Sequence, residues 1–115
     1  MNELTQLRDK LRRFVAERDW EQFHSPKNLA MALGGEAGEL LEVFQWLTEA
    51  DSKALKLAQR DAAAMEIADV FLYLMMLADA LDLDLLEVAK RKIELNEGRY
   101  PAHKVRGSAK KHTEY

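Results

Sequence analysis

Apolar residues recur at intervals of three and four along most of this chain. Leu4, Leu7, Leu11, Phe14 and Val15 fall on one face of a first predicted helix, Leu4 to Arg18. Asn2 or Thr5 is placed to cap its start. A non-periodic piece follows, Asp19 to Pro26, holding Trp20, Phe23 and His24. Ser25 reads as an N-cap with Pro26 in the first helical position, where its fixed backbone and missing N–H cost nothing. A second helix is predicted from Pro26 to Leu47, with Leu29, Leu33, Leu40, Leu41, Val43, Phe44 and Leu47 as its apolar surface. Gly34, Gly35 and Gly38 inside it imply a kink or a close approach, because each weakens a helix by ~1 kcal/mol against alanine. Thr48 to Ser52 is predicted as a loop, with a third helix starting at Ser52 or at Asp61 and running to Leu81. A fourth helix is predicted from Leu85 to Glu97, capped by Asp84 and stopped by Gly98. Beyond Arg99 the chain turns polar, and residues 101–115 are expected to form a tail that is mobile or ordered only by a neighbouring subunit, after a single domain of residues 1–100.

The third helix departs from the amphipathic rule. Ala62 to Ala78 is apolar on nearly every side, which predicts burial, yet it contains Glu66 and Asp69. Ionised carboxylates are costly to bury unless paired or bound to a metal. At a spacing of three they share one helical face. No basic residue lies between Met65 and Asp84 to pair with them locally. The second helix carries a matching pair, Glu36 and Glu39, extended by Glu42. Facing antiparallel helices would gather Glu36, Glu39, Glu66 and Asp69 into one cluster, a known setting for metal sites in helical bundles. An all-oxygen set selects a hard divalent ion, Mg²⁺ first and Mn²⁺ second, with phosphate oxygens as its natural remaining ligands.

No alternating β-branched run is present, so the fold class is all-α, a four-helix bundle. Three short neighbours leave so apolar a third helix incompletely covered, which predicts an oligomer with the second and third helices in the interface. The 115 residues suffice for one core, and 48% hydrophobic with 32% charged residues fits a globular chain. The net charge of −3 gives no general attraction for a nucleic-acid polymer. Absence of cysteine excludes disulfides and thiolate zinc sites. The charged N-terminus lacks the apolar core of a secretory signal, and no apolar run approaches the ~20 residues of a membrane helix. A cytoplasmic location without membrane association is therefore expected.

Two further groups extend the metal reading. Trp20, Phe23, His24, Phe44, Trp46 and Tyr73 supply a set of rings, Tyr73 continuing the face of Asp69 by one turn. An aromatic lid beside a metal–phosphate site suits a nucleobase, stacking being worth ~1–3 kcal/mol per base. Lys92, Asn96 and Arg99, with Tyr100, place basic groups and an amide on one side of the fourth helix, a combination that can hold a polyphosphate. His103 and His112 fall in the tail and are given no ligand role.

The sequence Gly35-Glu36-Ala37-Gly38-Glu39-Leu40, followed by Glu66-Ile67-Ala68-Asp69, resembles the all-α nucleoside triphosphate pyrophosphohydrolases of the MazG type. Arg18-Asp19-Trp20-Glu21-Gln22-Phe23-His24, Phe44-Gln45-Trp46 and Arg99-Tyr100-Pro101-Ala102-His103 resemble the dCTP pyrophosphatase branch of that superfamily. The resemblance implies Mg²⁺-dependent hydrolysis of dCTP, or modified dCTP, to dCMP and diphosphate, as nucleotide-pool sanitation. It implies that Glu36, Glu39, Glu66 and Asp69 hold the metal and form the catalytic centre. It assigns Trp20, His24, Trp46 and Tyr73 to the nucleotide pocket, and Lys92, Asn96, Arg99 and Tyr100 to the phosphates. It further implies a homotetramer with shared sites. The chain departs from the branch at Leu11, where relatives carry a histidine, which loosens the tie to dCTP itself. The alternatives are a pyrophosphohydrolase of broader, dUTP or purine specificity, and a non-catalytic helical oligomerisation module.

Overall fold

The computed structural model describes residues 2–109, so the end of the tail, His112 included, lies outside the described residues. All regular structure among them is helical. Four long helices are present as expected: α1 (Glu3–Glu17), α2 (Pro26–Phe44), α4 (Leu57–Ala80) and α5 (Leu85–Arg99). Two single-turn helices, α3 (Glu49–Ser52) and α6 (Ala102–Val105), and a 3₁₀ turn (Glu21–Phe23) complete the described chain.

The caps act where short polar side chains precede apolar runs. Of the two candidates at α1, Asn2 does the capping, its Oδ1 accepting from the Thr5 N–H at 2.7 Å. Ser25 Oγ accepts from the Asn28 N–H at 3.2 Å, with Pro26 opening α2. Asp84 Oδ1 accepts from the Glu87 N–H at 3.1 Å at the start of α5. Asp19 and Asp82, just beyond the ends of α1 and α4, both adopt left-handed backbone at φ 54°. Aspartate tolerates this conformation better than most residues because its short side chain bonds locally.

Several boundaries differ from expectation. The second helix stops at Phe44 rather than Leu47, and the expected loop Thr48 to Ser52 forms α3. Thr48 Oγ1 caps that turn by accepting from the Asp51 N–H at 3.1 Å, and Glu49 and Asp51 sit at its positive end. The third long helix begins at Leu57, between the two expected starts. Its entry is fixed by the Lys56 N–H donating to Gln59 Oε1 at 3.0 Å. Gly98 does not stop the last long helix, which continues to Arg99. The break comes from Pro101, whose ring disfavours helical backbone at Tyr100, and Tyr100 has left it at φ −126°, ψ 66°. The start of the expected tail contains α6.

The described residues divide into two compact units, residues 2–82 and residues 83–109. In the first, α4 is the central element, with α2 and α1 packed on it. Val15, Leu29, Ala63, Met75 and Ala78 form its buried core. The expectation that α4 is buried all round does not hold for the single chain. Met65 is 65% and Ile67 55% exposed, because α1 and α2 cover only part of the circumference. The three glycines of α2 leave that helix continuous, and a Cβ at any of them would meet nothing within 4 Å. No close neighbour on that face is supplied by the described residues.

Candidate metal centre and adjoining cavity

Helical periodicity aims Glu36 and Glu39 from α2 at the same side of α4 that carries Glu66 and Asp69. One carboxylate oxygen from each of Glu36, Glu39 and Glu66 lies within 4.8 Å of the others. Asp69 stands beside this trio: it is half-buried and acts electrostatically on both Glu36 and Glu66. Glu36 feels Asp69 one turn farther along α4, and Glu66 feels Glu42 one turn farther along α2, the crossing pattern of antiparallel helices.

The cluster is electrostatically uncompensated. Burial, then hydrogen bonding with Glu39 and the charges of Glu39, Asp69 and Glu66, hold the Glu36 carboxyl above its ordinary range. The Glu66 carboxyl is raised by burial, then by the charge of Glu39, hydrogen bonding with Glu39, and the charges of Asp69 and Glu42. Glu36 Oε2 and Glu66 Oε2 are sealed from water and have no hydrogen-bond partner. Such atoms are rare in folded proteins and call for an explanation. A divalent cation supplies one, since it would satisfy both oxygens and reverse the electrostatic cost, and the all-oxygen donor set suits Mg²⁺ or Mn²⁺.

Farther along α4 the same unit holds a cavity of about 470 Å³. Its apolar lining includes Leu11, Val15, Leu29 and Met75, and its polar lining includes Arg12, His24 and Asp79. At 1.5 Å per residue, Met75 lies about 13 Å along the helix from Glu66. Of the ring residues expected at a nucleotide pocket, His24 lines the cavity. Trp20 packs edge-on against Phe14, ring centroids 5.8 Å apart, while Arg18 lies over Phe14 at 3.7 Å. Tyr73 is half-buried on α4, and Trp46 is 87% exposed. Lys92, Asn96 and Arg99 lie on α5 in the second unit, where the Tyr100 N–H bonds to Asn96 O at 2.7 Å.

Sequence reasoning missed Arg12 and Asp79. The Arg12 guanidinium grips Asp79 with two hydrogen bonds, Nε to Oδ2 at 2.7 Å and Nη2 to Oδ1. The two residues are 67 positions apart, so no local pattern joins them. The one available signal was an aspartate closing an apolar helix without a local cation.

A continuous acidic row on α2, a matching acid pair on an apolar helix and an all-helical frame define a helical protein with a carboxylate cluster between two long helices. A model of the MazG-like family matches residues 32–114, and the chain belongs to that family, as its motifs led us to expect. Among curated proteins it is similar to dCTP pyrophosphatase 1 of Homo sapiens, 48% identical over 103 residues, and of Bos taurus, 46% identical over 103 residues. Each match covers 88% of this chain and 61% of the relative, so the chain spans about three fifths of the length of these relatives. Among solved structures it is similar to a pyrophosphatase from Archaeoglobus fulgidus, with a TM-score of 0.81 and 41% identity. That match covers 88% of this chain and 94% of the other. Among the described residues no helix is long and apolar enough to cross a membrane.

Proposed function

We propose that this protein is a nucleotide diphosphatase that hydrolyses dCTP, or a modified dCTP, to the monophosphate and diphosphate with Mg²⁺. The observation that carries the reading is the pair of sealed, unpartnered oxygens on Glu36 and Glu66 within the carboxylate cluster. Membership of the MazG-like family and the similarity to proteins named dCTP pyrophosphatase 1 support the reaction and the base.

Glu36, Glu39 and Glu66 would hold the cation, with Asp69 completing the set. When bound, it supplies charge neutralisation for a triphosphate and lowers the pKa of water. Glu36 or Glu39 is proposed to take a proton from an attacking water, Glu39 being the exposed member of the trio. The apolar walls of the cavity exclude water from a ring seated there, and His24 offers a hydrogen bond to its edge. Trp20, Trp46 and Tyr73 are proposed as further base contacts. Lys92, Asn96, Arg99 and Tyr100 are proposed as phosphate contacts on their side-chain chemistry alone.

A wider base range is the second reading. It is favoured by Leu11, which gives the cavity an aliphatic wall with no hydrogen bond to read a base. We further propose self-association, because Met31, Leu41, Trp46, Met65 and Ile67 are all exposed in the single chain, with the homotetramer that the resemblance implies as its form.

Purified protein with Mg²⁺ and a panel of nucleotides, followed by product analysis, tests these readings. Monophosphate and diphosphate from dCTP are expected. A purine preference would replace the base assignment, and no product from any nucleotide would leave only the oligomerisation module. Asp69→Asn should abolish turnover while keeping the helical signal. Substantial residual activity would remove Asp69 from the metal set.

A further inference from the structure

We propose that the Arg12–Asp79 bridge is a positioning pair, holding α1 on the C-terminal end of α4 and so fixing the cavity in which the substrate's base is received. The inference rests on the diphosphatase reading and goes beyond it, because neither residue belongs to the carboxylate cluster.

Four observations carry it. Both residues line the cavity, so the bridge is part of its wall. Among the described residues it is the ion pair that joins two long helices. The others, Arg8–Asp9, Arg12–Asp9, Arg18–Glu17 and Lys90–Glu87, link near neighbours in sequence. The contact is a two-pronged guanidinium–carboxylate grip, which fixes direction as well as distance where an ammonium would act as a point charge. Finally, α1 has no side-chain hydrogen bond to α2 or α4 other than this one among the described residues.

The lever is geometric. Leu11 precedes Arg12 on α1 and faces the cavity from the same end. A rotation of α1 about its axis would carry Leu11 and Val15 across the cavity, whereas the carboxylates of α2 and α4 lie outside the moving helix. Release of the bridge should therefore weaken the grip on the base while leaving the reacting end in place. Neither Arg12 nor Asp79 need touch the substrate, so each acts through the wall it holds.

The experiment measures steady-state kinetics with the best nucleotide for wild type, Arg12→Ala, Asp79→Asn, the double variant, and the exchanged pair Arg12→Asp with Asp79→Arg. Each single change is expected to raise KM about five- to tenfold with kcat altered less than twofold. The double variant should be no worse than the poorer single one, and the exchanged pair should recover KM to within about threefold of wild type. Arg12→Lys, which keeps the charge and loses the fork, should fall between wild type and Arg12→Ala. It also provides a folded variant should Asp79→Asn unfold. An unchanged KM in the single variants overturns the inference. So does a parallel fall of kcat and melting temperature that the exchange fails to rescue, which would make the bridge structural only. Absence of turnover in wild type overturns the diphosphatase reading and this inference with it, whereas active wild type with insensitive variants overturns this inference alone.

Discussion

Replacing Glu36 by glutamine removes one charge from the carboxylate cluster and keeps its shape. The change separates the cost of crowding acids from the benefit of a cation. In metal-free protein the Glu36 carboxyl is held above its ordinary range by burial, Glu39 and neighbouring charges. A carboxyl whose folded pKa is raised costs stability as pH climbs from about 4.3, its unfolded value, through the folded one. Metal-free Glu36→Gln should therefore match or exceed wild type in melting temperature at neutral pH, and the difference should vanish toward acid.

A saturating cation should reverse that order. A ligand about 100-fold above its Kd stabilises by about 2.7 kcal/mol. With 115 residues and about 2.1 cal/mol/K per residue, the unfolding entropy is about 240 cal/mol/K, so wild type should gain about 11 °C. Loss of even a supporting group weakens metal affinity about 10–100-fold, and a direct ligand belongs at the upper end. The same cation concentration then stands near Kd for the variant, contributing about 0.4 kcal/mol and about 2 °C. Thermal melts with Mg²⁺ and Mn²⁺ against a chelator, at two pH values, give all four quantities. Equal metal shifts in wild type and Glu36→Gln would refute the assignment of Glu36 as a ligand. A metal-free variant clearly less stable than wild type at neutral pH would refute the view that the cluster is uncompensated.

Three other outcomes test the frame that holds the site. Leu29→Ala, at the 2%-exposed heart of the first unit, should cost about 2–5 kcal/mol by chemical denaturation. Ser25→Ala removes the N-cap of α2 and should cost about 1 kcal/mol, while Ser25→Asp should be near neutral. The Arg12 hydrogen bonds hold the Asp79 carboxyl below its usual range despite partial burial. Its contribution is thus present above about pH 4 and lost as pH falls through the folded pKa. Because Arg12 is largely exposed, Asp79→Asn should cost only about 0.5–1 kcal/mol at neutral pH, a gap that closes in acid.

The long helices were legible because their signals are local. Asn2, Ser25 and Asp84 cap within three residues of themselves, and apolar spacing shows which faces meet. The errors arose where a local signal was outweighed by its neighbour. Gly98 reads as a stop, but Pro101 ends the helix because its ring disfavours helical backbone at the residue before it. Thr48 reads as loop, yet its hydroxyl and two following acids suffice for one turn. At the candidate site, the acids announce themselves by lying on apolar faces without cations. Arg12 and Asp79 do not, because a pair 67 residues apart exists only once α1 and α4 are packed.

The apolar character of α4 and the acidity of its central turn belong to one physical arrangement. Ala63 lets α4 pack closely, and Met75 and Ala78 continue its buried face. The tight packing of α2 on α4 is what brings Glu36 and Glu39 to Glu66 and deprives two oxygens of water. Polar residues around Glu66 would have supplied donors or a solvent path, relaxing both carboxyls toward ordinary behaviour and removing their demand for a cation. Met65 and Ile67, exposed on either side of Glu66, instead leave an apolar border that a second copy of the chain would cover. Covering it would lower the local dielectric and strengthen the carboxylates' hold on a cation. Metal affinity and assembly should therefore rise and fall together. A Met65→Glu variant should both prevent the proposed assembly and show a weaker Mg²⁺ shift, although Met65 is not itself a ligand. Full metal affinity in a dissociated variant would separate the two and return the site to the single chain.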